Sequence, residues 1–213
     1  EVPDDVIILF ADDNWGDVRY LPDPDKPKHP GGYGMYYHVD YHGAPRSYEW
    51  LNMNQLPHMW EQLQLTYDYG VKKVWILNVG DIKPMEYPMT FFLDMAWNPD
   101  SFNAHNLKEY TRKFLREKVG ADAVKEAADI LTTSTKYNSR VTAEMLDANT
   151  YNLESGEFRR VRNAYLALEA RALRQYRDLP ERYKNAYFEL ILFPVQAMAN
   201  LYDLYYSVAM NRK

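Results

Sequence analysis

The sequence predicts an α/β half followed by an all-helical half. Three short apolar runs of strand length fall in the first hundred residues, and a segment with helical spacing separates the second run from the third. Strand, helix, strand is the βαβ unit of a parallel sheet. From about Ser101 onward, apolar residues recur with the spacing of amphipathic helices. The predicted domains are therefore residues 1–100 and residues 101–213.

The three predicted strands are residues 6–11, 34–41 and 74–79. The first and third are short continuous apolar runs, which is the pattern of strands buried on both faces. Residues 55–69 place their large apolar side chains on one helical face, and Gly70 follows as a helix stop.

A long connection separates the first predicted strand from the second. Residues 12–33 contain four prolines and the pair Gly31-Gly32, a composition that excludes a helix. A loop of this length inside a compact domain usually serves a function or is disordered.

The sequence of the second half predicts at least four helices. Residues 106–119, 122–137 and 156–178 each have an amphipathic pattern, and a last helical stretch runs over 180–210. Pro194 lies within that stretch and is expected to bend or split it, because proline lacks the N–H of a helical hydrogen bond. Leu and Tyr are expected to supply most of the core of this half, and the two halves are expected to pack together.

Composition excludes several classes of function. The 213 residues carry a net charge of -5, so nothing favours nucleic acid or an anionic membrane as a partner. No apolar run is long enough to span a bilayer. There is no Cys, which excludes thiolate metal sites, and the spacing of His, Asp and Glu predicts neither a metal nor a cofactor. The 19 Tyr and 5 Trp suit packing against sugar rings, and they suit a helix core with a wet rim equally well.

Each predicted strand runs directly into polar residues. The first is followed by Asp12-Asp13-Asn14-Trp15-Gly16, the second ends in the run from His38 to Gly43, and the third ends in Asn78-Val79-Gly80-Asp81. Ligands of parallel α/β sheets and barrels sit at the carboxyl ends of the strands. The three runs are therefore expected to converge on one pocket.

Each run also has a plain structural interpretation. Asp12 and Asn14 are residue types that favour turns and helix caps. His38 can be a hydrogen-bonded core histidine, and residues 78–81 can be a tight turn. Asp40 and Glu49 add to the carboxylates from which a catalytic pair could come, and their spacing does not select one.

Four stretches of the first half are similar to glycoside hydrolase family 115. They are ADDNWG at residues 11–16, YYHVDYHGAP at 36–45, WILNVGDIKP at 75–84, and residues 86–97 with their FFLDMAW ending. The resemblance is dense over the first hundred residues and weaker over the helical half.

That resemblance implies an inverting α-glucuronidase, which removes glucuronic acid or its 4-O-methyl ether from xylan. It implies that this chain is the C-terminal part of a TIM (β/α)₈ barrel followed by a helical bundle domain. By motif, it assigns substrate binding to Asn14, Tyr36, His38, Tyr41 and Asn78. Asp12 is the candidate catalytic carboxylate from the motif, and Asp81 is added from its position in the third turn. His38, Arg46 and Lys83 are candidates to bind the carboxylate of the substrate.

The resemblance also implies that part of the catalytic pair precedes Glu1, so the isolated chain is expected to be inactive. The first strand should then present an apolar flank to a missing N-terminal part of the same protein. The expected ligand is a xylan-type polysaccharide or a glucuronoxylo-oligosaccharide, and the implied location is secreted, periplasmic or at a bacterial cell surface. The competing hypothesis is a non-catalytic carbohydrate-binding or helical interaction module.

Overall fold

The computed structural model describes residues 2–44 and 49–212. The chain forms two compact units, one made of residues 1–49 with 56–107 and the other of residues 50–55 with 108–213. Each unit is defined by the contacts among its own residues. The division into domains between residues 100 and 101 stays a prediction.

The first unit contains a parallel sheet of three strands in the order β1-β2-β3. The strands are β1 (Ile8–Ala11), β2 (Tyr33–His38) and β3 (Val74–Asn78). Helix α1 (Leu56–Asp68) connects β2 to β3, so the predicted βαβ unit is confirmed. Residues 12–32 connect β1 to β2 without helix or strand, as their composition predicted.

Both helices of this unit bury apolar side chains. Met59 and Leu63 of α1 are almost fully buried. A second helix, α2 (Glu86–Trp97), contributes Phe92, whose ring stacks on Tyr37 of β2 with 6.4 Å between centroids. The periodicity of apolar residues did not predict α2, because its apolar residues are distributed around the whole helix. Trp97, for example, is 91% exposed although another face of the helix is buried.

Strand β1 lies at an edge of the sheet, and it and the two residues before it present apolar side chains to solvent. Val6, Ile7 and Leu9 are 44%, 40% and 49% exposed. The expected apolar flank is therefore present, while the expectation that both faces of this strand are buried is wrong for this chain. Among the described residues the sheet does not close on itself, and the barrel stays a prediction.

The second unit is helical. Its helices are α3 (Leu107–Val119, of which Leu107 belongs to the first unit), α4 (Val124–Asn138), α5 (Glu157–Asp178), α6 (Glu181–Tyr187) and α7 (Phe193–Asn211). The expectation of at least four helices is confirmed. No helix in the described part of the chain is both long and apolar enough to cross a membrane.

The last helical stretch is interrupted next to Pro194, as predicted. Residues Phe188–Leu192 form a π-helix between α6 and α7, and Pro194 lies in the first turn of α7. Proline offers no N–H to the preceding turn. A wider turn just before it changes the hydrogen-bond partners of the backbone and accommodates that loss.

Aromatic stacking organises the core of the helical unit. The rings of Tyr165 and Tyr202 stack with centroids 4.3 Å apart, and the Tyr165 hydroxyl donates to Asn138 Oδ1 over 3.1 Å. Asn138 Nδ2 in turn donates to the backbone carbonyl of Asn52, which ties residues 50–55 to this unit. The core is broader in composition than Leu and Tyr, because alanines such as Ala199 occupy fully buried positions.

Gly34 offers a test of the sheet. A Cβ at this position would lie 2.5 Å from Leu9 Cδ2 and 2.7 Å from the Val74 carbonyl oxygen, so the Leu9 side chain would have to rotate and the backbone of β3 would have to move. We expect Gly34→Ala to lower the free energy of unfolding by about 1–3 kcal/mol, measured by urea denaturation of the chain. Gly43→Ala is the control, because its new Cβ would meet the ring of Tyr41, a side chain that can rotate. Equal stability of the two variants would contradict the close strand packing at Gly34.

Candidate functional site

The parallel pairing of the strands brings their carboxyl ends to one edge of the sheet. Ala11 pairs with Tyr36, and His38 pairs with Asn78. Asp12 directly follows β1, while His38 and Asn78 are the last residues of β2 and β3. The polar runs identified in the sequence therefore begin side by side.

Asp12 and His38 form the centre of this cluster. His38 Nδ1 lies 2.6 Å from Asp12 Oδ1, and the backbone N–H of His38 donates to Asp12 Oδ2 over 3.2 Å. The Asp12 side chain is fully shielded and that of His38 is 11% exposed. Burial raises the pKa of the Asp12 carboxyl above its ordinary value, and the hydrogen bonds from His38 partly offset that rise.

Two tyrosines hold the imidazole ring from its flanks. The centroids of Tyr36 and Tyr41 each lie 4.6 Å from the centroid of His38. Asn78 Nδ2 donates to the Tyr36 hydroxyl over 3.0 Å, so the ends of β2 and β3 are linked through side chains. Because Asp12 engages Nδ1, the ring nitrogen that His38 can offer to a ligand is Nε2. The structure thus brings together Asp12, Tyr36, His38, Tyr41 and Asn78.

The turn after β3 completes the cluster and includes Gly80, which the sequence analysis did not select as a site residue. Asn78 Oδ1 accepts a hydrogen bond from the Gly80 N–H over 3.1 Å. A Cβ on Gly80 would lie 2.0 Å from Asp40 Oδ2, so the turn passes directly over this carboxylate. Asp40 is 1% exposed and also lies 3.1 Å from His42 Nε2. The sequence feature that could have indicated this contact is Gly80, because glycine lets the backbone approach another group closely.

The remaining acidic and amide candidates lie in the loops that follow β1 and β3. Asn14 Nδ2 donates to the Ala44 carbonyl over 3.0 Å, which ties the loop after β1 to the loop after β2. Asp81 is exposed in the turn after β3. Asp13 caps its own turn by accepting from the amides of Trp15 and Asp17. Burial alone would raise the pKa of Asp13, but these hydrogen bonds and Arg19 hold it below its ordinary value.

The candidates for binding a carboxylate differ in their placement. His38 lies in the cluster, whereas Lys83 pairs with Glu86 of α2 at 3.1 Å. Arg46 lies outside the described residues. In residues 2–44 and 49–212, no group of three or more His, Asp or Glu side chains is arranged to hold a metal ion.

This arrangement suits a polar ligand with hydroxyl groups. Two phenol groups, an amide and an imidazole provide both donors and acceptors, and the tyrosine rings provide apolar faces. Most of these side chains are held by one another, so a ligand meets groups that are already oriented. Preorganisation of this kind reduces the entropy cost of binding.

Comparison with known proteins places the chain in a family. A model of glycosyl hydrolase family 115 matches residues 1–145. A solved structure described as a family GH115 4-O-methyl-α-glucuronidase, BtGH115A, with specificity for decorated arabinogalactans, matches with a TM-score of 0.84 and 31% identity. The match covers 95% of this chain and 28% of that one, so this chain spans less than a third of its length. None of the curated proteins compared matches the chain.

The two matches agree with each other and with the site. The family model covers 145 of the 213 residues, including the ends of all three strands. The family model includes α3 and α4 of the helical unit, and the solved structure extends the likeness to 95% of the chain. The chain therefore belongs to glycosyl hydrolase family 115.

Proposed function

We propose that this chain is part of an α-glucuronidase that releases glucuronic acid or 4-O-methylglucuronic acid from a plant polysaccharide. The observation that carries the proposal is the cluster of Asp12, Tyr36, His38, Tyr41 and Asn78 at the strand ends of a family 115 chain. The name of the solved relative, a 4-O-methyl-α-glucuronidase, supports release of the same α-linked uronic acid.

In this proposal His38 recognises the uronic acid. Its Nδ1 is engaged by Asp12, which leaves Nε2 for the carboxylate of the substrate. Nε2 donates to that carboxylate when it carries a hydrogen, either in the imidazolium form or in the neutral ring whose Nδ1 accepts from a protonated Asp12. Asn78 and the hydroxyls of Tyr36 and Tyr41 orient the sugar hydroxyls. Asp12 acts as a positioning residue, because its carboxylate is fully shielded and touches the ligand only through His38.

The polysaccharide we propose is a xylan-type chain or a glucuronoxylo-oligosaccharide, as the sequence motifs imply. The specificity of the solved relative for decorated arabinogalactans supports a second candidate, a galactan with uronic acid side chains. Both carry the same terminal sugar, so the cluster described here serves either backbone.

The proposed reaction proceeds with inversion. A carboxylic acid protonates the oxygen of the leaving polysaccharide while a carboxylate removes a proton from water on the opposite face of the sugar. The C–O bond of the glycoside breaks as the oxygen of water bonds to the anomeric carbon, and no other reactant is needed. Of the two carboxylates predicted as catalytic, only Asp81 is exposed and could act directly.

The other member of the pair is proposed to come from a part of the protein that precedes this chain. The same part would cover the apolar edge at Val6, Ile7 and Leu9 and continue the sheet towards a (β/α)₈ barrel. A polymeric substrate fits the proposed secreted, periplasmic or cell-surface location. The competing class, a carbohydrate-binding or helical interaction module, predicts glycan binding without release of uronic acid.

The first test removes side chains of the cluster in the parent enzyme. We expect Asn78→Ala and His38→Ala each to reduce release of uronic acid from glucuronoxylan about 10²-fold or more, because each removes an oriented polar contact from a shielded site. His105→Ala is the control, since His105 is exposed in the turn that precedes α3 and is not among the residues of the cluster. Near-normal turnover by folded His38 and Asn78 variants would contradict the assignment.

The stereochemical outcome is tested by proton NMR. We expect the β-anomer of the released uronic acid to appear first, because water attacks the face opposite the α-linked polysaccharide. Mutarotation then produces the α-anomer. Early accumulation of the α-anomer would mean retention and would contradict the inverting mechanism.

The buried carboxylate predicts a pH dependence of stability. Because burial raises the folded-state pKa of Asp12 above its ordinary value of 3.8, its contribution to stability is present at low pH and is lost as pH rises through that pKa. We expect the stability of the wild type relative to Asp12→Asn to fall as pH rises above about 4, measured by urea denaturation. A rise over the same interval would show that the ionised carboxylate is favoured by folding.

A further inference from the structure

The helical unit contains a cavity that the proposed active site does not use. It has a volume of about 800 Å³, within the range of about 300–1,000 Å³ of small-molecule sites. It lies among the end of α3, the start of α4, the second half of α5 and the start of α6. Its charged lining consists of Asp122, Glu126, Arg171, Arg174, Asp178 and Arg182.

Packing contacts hold the walls of this cavity in place. Gly120 adopts a φ of +85°, and a Cβ there would lie 2.9 Å from the ring of Tyr183. The ring therefore packs directly on the backbone at the end of α3. Gln175 Nε2 donates to the Ala123 carbonyl over 2.8 Å, which fixes α5 to the start of α4. A site built in this way requires little rearrangement on binding.

The polar groups of the cavity provide both donors and acceptors. Arg171 is held by Glu126 at 2.8 Å and by Asp129 at 2.6 Å. Arg174 lines the cavity and is exposed, so its guanidinium is accessible to a ligand. The Oε1 atom of Gln175 is buried and finds no hydrogen-bond partner in the described chain.

The balance of charge favours a neutral ligand. Three guanidinium groups face three carboxylates, so a ligand carboxylate gains no net attraction from the lining. Sugar hydroxyls donate to carboxylates and accept from guanidinium groups, and a pyranose ring packs its apolar face on an aromatic side chain. Tyr183 supplies such a ring at the wall, with the guanidinium of Arg182 over one face at 4.7 Å from the centroid, so a sugar would pack on the other face.

We propose that this cavity is a second carbohydrate site, which binds the neutral backbone of the polysaccharide at a distance from the bond that is cleaved. The choice of a polysaccharide backbone rests on the proposed function. The site would keep the enzyme on a polymer and would not affect chemistry on short substrates. Its residues are therefore binding residues, and none of them belongs to the cluster at the strand ends.

The test measures binding of xylohexaose, a neutral oligosaccharide, to the parent enzyme by isothermal titration calorimetry. We expect Arg174→Ala and Tyr183→Ala each to weaken binding about five- to tenfold, as for the loss of one or two contacts. Arg177→Ala is the matched control, since Arg177 is also exposed on α5 but does not line the cavity. Turnover of a short glucuronosyl-xylotriose should be unchanged in all three variants.

Three outcomes would overturn the proposal. The first is equal affinity of the Arg174, Tyr183 and Arg177 variants for xylohexaose. The second is a loss of turnover on the short substrate in the cavity variants, which would make the cavity part of the active site. The third is binding that requires uronic acid side chains. A wild-type enzyme that binds xylohexaose through Arg174 but releases no uronic acid would refute the proposed function while leaving this site standing.

Arg174 gives the cleaner result, because its side chain is exposed and its removal leaves the helix intact. Tyr183 packs on Gly120, so its variant also requires a melting curve. If Tyr183→Ala is unfolded, Tyr183→Phe keeps the ring and tests only the hydroxyl. The difference in xylohexaose affinity between Arg174→Ala and Arg177→Ala then decides whether the cavity binds the oligosaccharide.

Discussion

The parallel pairing of three short strands is the constraint on which the candidate site depends. Parallel strands end at the same edge, and the register places His38 opposite Asn78. Residues that are 26 and 40 positions apart in the chain, Asp12 to His38 and His38 to Asn78, thereby become neighbours. A shift of β2 by one residue would turn His38 to the other face of the sheet and separate it from Asp12.

The burial of Asp12 explains why the cluster is more than a set of turn residues. A carboxylate is costly to remove from water unless it is hydrogen-bonded. Here both oxygens are satisfied by His38, one through the ring and one through the backbone. The result is an imidazole held at Nδ1 by Asp12 and from its flanks by Tyr36 and Tyr41. This support fixes the ring before a ligand arrives, as an active site requires.

Some features of the protein could be predicted from the sequence because they rest on local patterns. The strands, α1, the helices of the second half and the interruption at Pro194 all follow from periodicity and proline chemistry. The ends of the strands could be predicted as a meeting point because parallel topology dictates it. Helix α2 could not be predicted in this way, since its apolar residues form no single stripe.

Contacts between side chains that are far apart in the sequence could not be predicted from local sequence patterns. Nothing in the sequence indicates that Asp12 is shielded by His38 while Asp13, next to it, organises an exposed turn with Arg19. Nor does it indicate that Asp40 lies beneath Gly80. These pairings depend on how the loops after each strand fold back on one another.

The proposed role of the cluster at the strand ends is to hold the uronic acid. A crystal structure of the parent enzyme with glucuronic acid bound would show whether it does. We predict that the carboxylate lies within hydrogen-bond distance of His38 Nε2, with sugar hydroxyls on Asn78 and on Tyr36 or Tyr41. Glucuronic acid bound elsewhere, with Nε2 of His38 covered by protein, would contradict this role.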